Sequence, residues 1–314
     1  MPWVLCGFGL ILLLLAGDAL VKGAVNLSLR LGVPALIVSL TIVAFGTSAP
    51  ELLISVQAIL DGAPGLALGN VVGSNTANVL LVLGVPALLA TMHTAECNTR
   101  KTFAVMIAGS LLFIALAFRG VFDWIAGLIL LAGLALMLGD AFRDAHRHRQ
   151  ACKDDDEEEP EGADPDMPGW RIAVFLLLGL AGLPLGASLL VENATIIAKT
   201  YGVSDTVIGL TLVAIGTSLP ELATTVMAAL RRQADVALGN VIGSNLFNLL
   251  AIIGIASLVG PIPVDRSFLT FDLWVMLGAS VLLVPFVYFS WNITRVWGVI
   301  LTGLYLAYMV IVLG

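Results

Sequence analysis

The sequence predicts an all-α polytopic membrane protein of ten transmembrane helices, arranged as two five-helix repeats of opposite orientation. Hydrophobic residues make up 59% of the 314 residues and charged residues only 12%, with a mean hydropathy of +1.01. Soluble domains average about 45–50% apolar residues and about 25% charged residues. Ten continuous apolar runs are each close to the roughly 20 residues that cross a bilayer. One 44-residue stretch also occurs twice.

The ten apolar runs define the predicted helices. They are continuously apolar rather than alternating, which favours helices over membrane strands. No Lys or Arg precedes the first run and no persuasive cleavage site follows it, so we expect a retained helix rather than a signal peptide. The predicted spans are residues 3–20, 34–59, 66–91, 102–119, 123–142, 171–198, 203–230, 235–260, 272–290 and 294–313.

Basic residues predict the orientation of the chain. If loops are assigned alternately to the two sides, twelve Lys and Arg fall on one side and three, Arg119, Lys199 and Arg266, on the other. Cytoplasmic loops carry the excess of positive charge. We therefore expect a plasma (inner) membrane protein with both termini outside and residues 143–170 in the cytoplasm.

The net charge of −7 has a local origin. Nine acidic residues lie between Asp154 and Asp166, and the rest of the chain is close to neutral. The run DDDEEE could be a calcium sensor or a partner-binding tail, but its composition favours a solvated linker. The predicted organisation is a first repeat at 1–142, an acidic cytoplasmic linker at 143–170 and a second repeat at 171–314. Nothing indicates a nucleic-acid partner or an obligate protein partner beyond the lipid bilayer.

Catalytic signatures are missing from the sequence. It contains no nucleophile–base set, phosphate-binding loop or zinc motif, and Cys6, Cys97 and Cys152 indicate no disulfide framework. We predict neither an enzyme nor a bound cofactor.

The repeat relates residues 41–84 to 211–254 by a shift of 170, with 23 of 44 positions identical. Each copy belongs to five predicted spans. Because five is odd, the second copy enters the membrane upside-down relative to the first. Inverted repeats of this kind are typical of secondary transporters, whose site lies at the repeat interface near the bilayer midplane.

Both copies contain a helix-breaking motif beside a carboxylate, GTSAPE ending at Glu51 and GTSLPE ending at Glu221. Pro50 and Gly46 are expected to break the second helix and to free carbonyls near Ala44 and Thr47. An intramembrane acid costs at least about 2.5–3.5 kcal/mol and usually faces a functional site.

These motifs supply oxygen atoms only. The two carboxylates and free carbonyls are joined by four hydroxyls, those of Thr47, Ser48, Thr217 and Ser218. Ca²⁺ takes 6–8 oxygen ligands in flexible geometry, whereas soft metals prefer Cys or His, which these positions lack. Glu51 and Glu221 are therefore the predicted metal ligands.

A second motif, GSNxxN, adds Ser74 and Asn78 in one copy and Ser244 and Asn248 in the other. A helix broken at Gly73 and Gly243 would bring these side chains toward the carboxylates, where they suit Na⁺ as readily as Ca²⁺. For four further amides we favour helix packing over ion binding. They are Asn70, Asn75, Asn240 and Asn245.

At these motifs the chain resembles the sodium/calcium exchangers of the cation/Ca²⁺ antiporter superfamily, in particular their compact prokaryotic members. The paired GTSxPE and GNxxGSNxxN motifs carry the resemblance, which covers all but the acidic loop. It implies a central site formed by broken helices 2, 3, 7 and 8, across which helices 1 and 6 slide. The implied transport is antiport of sodium against calcium.

The resemblance also implies the ligands. Ca²⁺ would be held by Glu51 and Glu221 with the carbonyls of Thr47 and Thr217. Asn78 and Asn248 would flank the middle of the site. One sodium site would use Ala44, Thr47, Ser48, Glu51 and Ser74, and its mirror partner would use Ala214, Thr217, Ser218, Glu221 and Ser244.

Asn248 departs from many relatives of this type, which carry Asp there. Two Glu then give the site a permanent charge of −2, which Ca²⁺ balances. Three alternatives stay open: exchange of Ca²⁺ for H⁺, transport of another divalent ion, and a cation channel, against which the inverted repeats and the paired carboxylates argue.

Overall fold

The chain is an all-helical, multi-pass membrane protein. The computed structural model describes residues 1–94, 97, 99–151, 164, 166–202 and 214–313. Within these residues eight helices are long and apolar enough to cross a membrane, and Ala35–Thr47 with Ala49–Leu60 forms a further span bent by 42°. The predicted span 203–230 is described only from residue 214 onward, as Ala214–Thr217 and Leu219–Leu230.

Several spans consist of short helices joined by breaks or π-helical turns. The π-helical segments are Ser39–Val43, Phe247–Ile252 and Phe268–Asp272. In chain order the helices are α1 (Pro2–Leu31), α2 (Ala35–Val38), α3 (Ala44–Thr47), α4 (Ala49–Leu60), α5 (Pro64–Leu80), α6 (Gly84–Leu89), α7 (Arg100–Ala117), α8 (Trp124–Ala151), α9 (Gly169–Thr200), α10 (Ala214–Thr217), α11 (Leu219–Leu230), α12 (Ala234–Leu246), α13 (Ile253–Val259), α14 (Leu273–Val281), α15 (Val284–Tyr288) and α16 (Arg295–Leu313).

The long helices α1 and α9 lie against each other and bury an apolar seam that includes Leu13, Leu20 and Leu183. α1 continues well past residue 20, where the apolar run was expected to end. The extension tolerates charge because the Asp18 carboxylate pairs with Lys22 at 3.0 Å and also with Arg231. A paired carboxylate costs far less in a helix at membrane depth than an isolated one.

The main apolar core surrounds α5 and α12, whose spans are the most buried of the molecule's described helices. The expectation of helix breaks at Gly73 and Gly243 is wrong, because both helices run through these glycines without interruption. Gly243 instead allows close packing: a β-carbon there would lie 2.5 Å from the Leu40 carbonyl oxygen. The backbone departs from α-helix further on, at the turn 81–83 and at the π-helical segment Phe247–Ile252.

Two backbone pairings connect loops at opposite ends of the spans. β1 (Val121–Phe122) pairs antiparallel with β2 (Ile262–Pro263), and Met92 forms an isolated bridge with Ile293. The eighteen-residue helix α7 separates these pairings, about 27 Å at 1.5 Å per residue. The first pairing brings together the loops of Arg119 and Arg266, and the second brings together those of Arg100 and Arg295. In each case the charge count assigns the two paired loops to the same side of the membrane.

The helix before the acidic run extends beyond the predicted span 123–142. α8 continues to Ala151, so residues 143–151 of the predicted linker are helical. Lys101 of α7 holds this helix by ion pairs to Asp140 at 2.8 Å and Asp144 at 2.6 Å. The acidic run itself lies almost wholly outside the described residues.

Candidate functional site

Two short breaks place the carboxylates of Glu51 and Glu221 at the start of new helices. Ser48 (φ −82°, ψ 3°) and Ser218 (φ −87°, ψ 5°) leave helical geometry just before Pro50 and Pro220. Each Glu lies in the first turn that follows, where the unpaired N–H groups and the helix dipole favour an anion. The predicted break in the second helix is thus confirmed at the predicted motif, with the 42° bend.

The hydrogen bonds across the first break change one expectation. The Ser48 N–H donates to the Ala44 carbonyl at 3.0 Å, and the Leu52 N–H donates to the Ser48 carbonyl at 3.2 Å. The Ala44 carbonyl is therefore not freed, and it also accepts a hydrogen bond from the Thr47 hydroxyl at 3.3 Å. Between these bonds, the Thr47 carbonyl accepts no backbone hydrogen bond from a described residue.

Both carboxylates are buried near each other, where the two copies of the repeated stretch meet. Glu51 and Glu221 are each 1% exposed and close enough to repel one another electrostatically. One oxygen of each, Oε2, has no hydrogen-bond partner among the described residues. Buried carboxylates in this state need a compensating positive charge or a proton.

Hydroxyl groups from both repeats lie around Glu221. The Ser48 hydroxyl donates to Glu221 Oε1 at 3.2 Å, and the hydroxyls of Thr47 and Ser244 also face this carboxylate. Thr47 Oγ1 lies 3.5 Å from Ser244 Oγ and donates to Asn240 Oδ1 at 3.3 Å. The structure therefore brings together four of the predicted ligands, and residues of both repeats contribute to one site.

Several of the predicted ligands have no hydrogen-bond partner in the described residues. Ser218 Oγ, Asn78 Oδ1 and Asn248 Oδ1 are buried without a hydrogen-bond partner there. Ser74 is buried one turn from Asn78. Ala214 and Thr217 lie on α10, which begins where the described part of the seventh span begins.

Asn70 and Asn240 hold each carboxylate-bearing helix against its neighbour. The Asn70 amide donates to the Glu51 carbonyl at 3.2 Å and to Ser55 Oγ at 3.0 Å. The Asn240 amide makes the same pair of bonds, to the Glu221 carbonyl at 3.3 Å and to Thr225 Oγ1 at 3.1 Å. This agrees with the packing role favoured for these amides.

Ser55 and Thr225 were not among the predicted site residues. Both are fully buried, and both accept the amide that fixes a carboxylate-bearing helix. A signal was present, because the 170-residue shift aligns Ser55 with Thr225 and so places a hydroxyl at the same position of both copies.

The combined donor set is suited to a hard cation. Two carboxylates, several hydroxyls and amide oxygens converge, and no cluster of three or more His, Cys, Asp or Glu occurs in the described part of the chain. Two acids alone cannot fill the 6–8 positions of Ca²⁺, so hydroxyl, amide and carbonyl oxygens would have to complete the shell.

Comparison with known proteins matches the chain to one family. The model of the sodium/calcium exchanger protein family matches residues 1–139 and 171–314. The sodium/calcium exchanger MaX1 of Methanosarcina acetivorans is 35% identical over 96% of each chain, and the inner membrane protein YrbG of Escherichia coli is 33% identical over 96% of this chain and 93% of its own. Among solved structures, the sodium-calcium exchanger NCX_Mj superposes with a TM-score of 0.83 at 31% identity, covering 98% of this chain and 97% of that one.

Proposed function

Because the chain belongs to the sodium/calcium exchanger family, a family of cation antiporters, we propose that it exchanges Na⁺ for Ca²⁺ by alternating access around Glu51 and Glu221. The observation that carries this proposal is the pair of neighbouring carboxylates, each 1% exposed and each with an oxygen lacking a partner in the described residues. Burial of two acids close together is costly unless cations or protons neutralise them.

In the proposed site Ca²⁺ lies between the two carboxylates, with the carbonyls of Thr47 and Thr217 completing the shell. The Thr47 carbonyl at the helix break, which accepts no backbone hydrogen bond from a described residue, supports this assignment. Na⁺ would occupy flanking positions lined by hydroxyl, carbonyl and amide oxygens. These positions are Ala44, Thr47, Ser48, Glu51, Ser74 and Asn78 on one side and Ala214, Thr217, Ser218, Glu221, Ser244 and Asn248 on the other.

Competition for the carboxylates couples the two ion fluxes. The charge of −2 contributed by Glu51 and Glu221 is balanced by one Ca²⁺ or by Na⁺ ions, but not productively by both together. A ligand can shift a conformational equilibrium only through a difference in affinity between the states. Occupancy by either substrate would lower the electrostatic cost of burying the pair, and an empty site would resist the occluded state.

We also propose that the two halves are inverted repeats, as 1–142 and 171–314, in a ten-helix chain. The two backbone pairings support this proposal: a shift of 170 carries the Met92–Ile293 bridge to within one residue of the Phe122–Ile262 pair, at the opposite end of the spans. The matching bonds of Asn70 and Asn240 obey the same shift.

The proposed orientation places both termini outside the plasma (inner) membrane and residues 143–170 in the cytoplasm. The excess of basic residues on one set of loops supports it. So does the pairing of loops that the charge count assigns to the same side.

The coupling ion is tested by Ca²⁺ uptake into proteoliposomes loaded with Na⁺, with the membrane potential clamped. We expect uptake to require internal Na⁺, to be lost when K⁺ replaces it, and to survive a protonophore. The hydroxyl groups of Thr47, Ser48 and Ser244 around Glu221 are the reason, because a proton needs no such oxygen cage. Uptake driven by a pH gradient without Na⁺ would contradict the proposal and indicate Ca²⁺/H⁺ exchange.

Deletion of residues 154–166 is expected to leave the Ca²⁺ dependence of transport unchanged within about twofold. The acidic run lies outside both segments matched by the family model, and such runs are typically solvated linkers. Initial rates over a series of Ca²⁺ concentrations check this. A shifted Ca²⁺ dependence would instead assign a sensor role to the acidic run.

A further inference from the structure

We propose that Asn245 is a positioning residue that orients the side-chain amide of Asn78, so that Asn78 presents its oxygen, and not its NH₂ group, to the transported ion. This inference rests on the proposed ion-exchange function and assigns a role to a residue that does not itself touch the ion. Asn245 is 1% exposed and lies one residue beyond Ser244 on α12.

The Asn78 amide is fixed at one end only. Its Nδ2 donates to Asn245 Oδ1 at 3.1 Å, whereas its Oδ1 is buried without a partner among the described residues. Asn78 lies one helical turn from Ser74 and therefore on the same face of α5. In the second repeat the matching residue Ser244 lies 3.5 Å from Thr47 Oγ1 and contributes its hydroxyl to Glu221, so that face of α12 is turned toward a carboxylate. By the repeat we assign the same orientation to the face of α5 that carries Ser74 and Asn78.

The orientation of Asn245 is set in turn by a sulfur atom. Its Nδ2 lies 3.9 Å from Met106 Sδ, and a thioether can accept but cannot donate a hydrogen bond. With its NH₂ group turned to Met106, Asn245 presents Oδ1 to Asn78. An oxygen there can only accept a hydrogen bond, so Asn78 must turn its own NH₂ group toward it and donate. The Asn245 backbone is held by the Asn75 amide, which donates to the Asn245 carbonyl at 3.2 Å. Three side chains thus form a relay from α7 to the site.

The chemistry explains why such a relay matters here. An amide has one end that attracts a cation and one that repels it, and the two ends are nearly identical in shape. A carboxylate at the same position would present oxygen whichever way it turned. Because Asn occupies this position in both repeats, the chain needs a separate group to fix the rotation of the amide.

The relay is present in one repeat only. The 170-residue shift relates Met106 to Met276 and Asn245 to Asn75. In the described residues, however, Asn75 Oδ1 has no hydrogen-bond partner, so it accepts no bond from Asn248, whose own Oδ1 also lacks a partner. Met276 is as fully buried as Met106. It therefore provides a matched control: the same residue type, burial and repeat position, without the recorded bond to an amide.

The test is a double-mutant cycle read out as Ca²⁺ binding by isothermal titration calorimetry on the purified full chain. Asn245→Ala is expected to weaken binding about tenfold, as loss of an orienting group around a metal site typically does. Met106→Leu, which preserves volume, is expected to weaken it by a smaller factor in the same direction. Met276→Leu is expected to have no such effect.

The decisive comparison uses an Asn78→Ser background, in which a hydroxyl supplies the oxygen and no amide remains to be oriented. Asn245→Ala and Met106→Leu should then cost nothing further in affinity. The same loss in both backgrounds, or equal effects of Met106→Leu and Met276→Leu, would show that only packing is disturbed and would overturn the proposal.

If Asn245→Ala fails to fold, the comparison of Met106→Leu with Met276→Leu still tests the proposal. A wild-type protein that binds no Ca²⁺ would instead defeat the proposed function itself.

Discussion

Replacing Glu51 or Glu221 by Gln is expected to abolish Ca²⁺ flux while leaving a folded, membrane-inserted protein. The change keeps the shape of the side chain and removes one of two negative charges that are each 1% exposed. Unit charges about 4 Å apart attract by about 4 kcal/mol even at an effective dielectric constant of about 20. A loss of that size lowers Ca²⁺ affinity at least about a hundredfold, which Na⁺-driven Ca²⁺ uptake into proteoliposomes would register as background flux.

Glu192→Gln is the matched control for this pair. Glu192 is exposed on α9 and accepts a hydrogen bond from Ser188 at 2.6 Å, so its neutralisation should leave transport unchanged. Size-exclusion profiles of all three variants in detergent would show whether the fold is retained. Wild-type-like transport by both Glu51→Gln and Glu221→Gln would refute the site assignment.

The second large effect is expected from Gly243→Ala, which should lower the melting temperature by about 5 °C or more and reduce the yield of folded protein. The added carbon would lie 2.5 Å from the Leu40 carbonyl oxygen and 2.6 Å from Ala44 Cβ. Overpacking of this kind costs about 1–3 kcal/mol, and here the obstacle is backbone that cannot rotate away. The displaced segment leads directly to Thr47 and Ser48, so Ca²⁺ affinity should fall as well.

Gly278→Ala separates this packing effect from a general cost of replacing glycine in a helix. Gly278 lies on α14 with nothing described within 4 Å of an added β-carbon. Ala is the better helix former, so this variant should be neutral or slightly more stable in a thermal-unfolding measurement. Equal melting temperatures for the two variants would show that α12 and the second span separate without cost.

Much of the fold could be predicted because hydropathy reports directly on lipid exposure. Continuous apolar runs located the spans. Pro50 located the bend, because a residue without an N–H cannot make the i→i−4 hydrogen bond that a regular helix needs. The interruption of α5 and α12 was misplaced because a glycine can either break a helix or allow close packing. Which of these roles Gly243 has depends on the segment at Leu40 that packs against it, and composition does not reveal that neighbour.

The carboxylates and hydroxyls of the site were predictable because they recur at one spacing in both repeats. Their partners were less so. The contact of Met106 with Asn245 joins segments 139 residues apart and has no counterpart at the matching positions among the described residues. The sequence also did not predict that α8 extends beyond residue 142. Charged residues outside the membrane are compatible with either a helix or an extended linker, so composition does not distinguish the two.

The strand pairings and the approach of Leu40 to Gly243 have a consequence for how such a protein is made. Each half of the chain supplies one partner of every one of these contacts, so neither half can complete its interior by itself. Two separately translated polypeptides, 1–151 and 166–314, should therefore find each other in the bilayer and assemble into one transporter, while either one alone should be degraded.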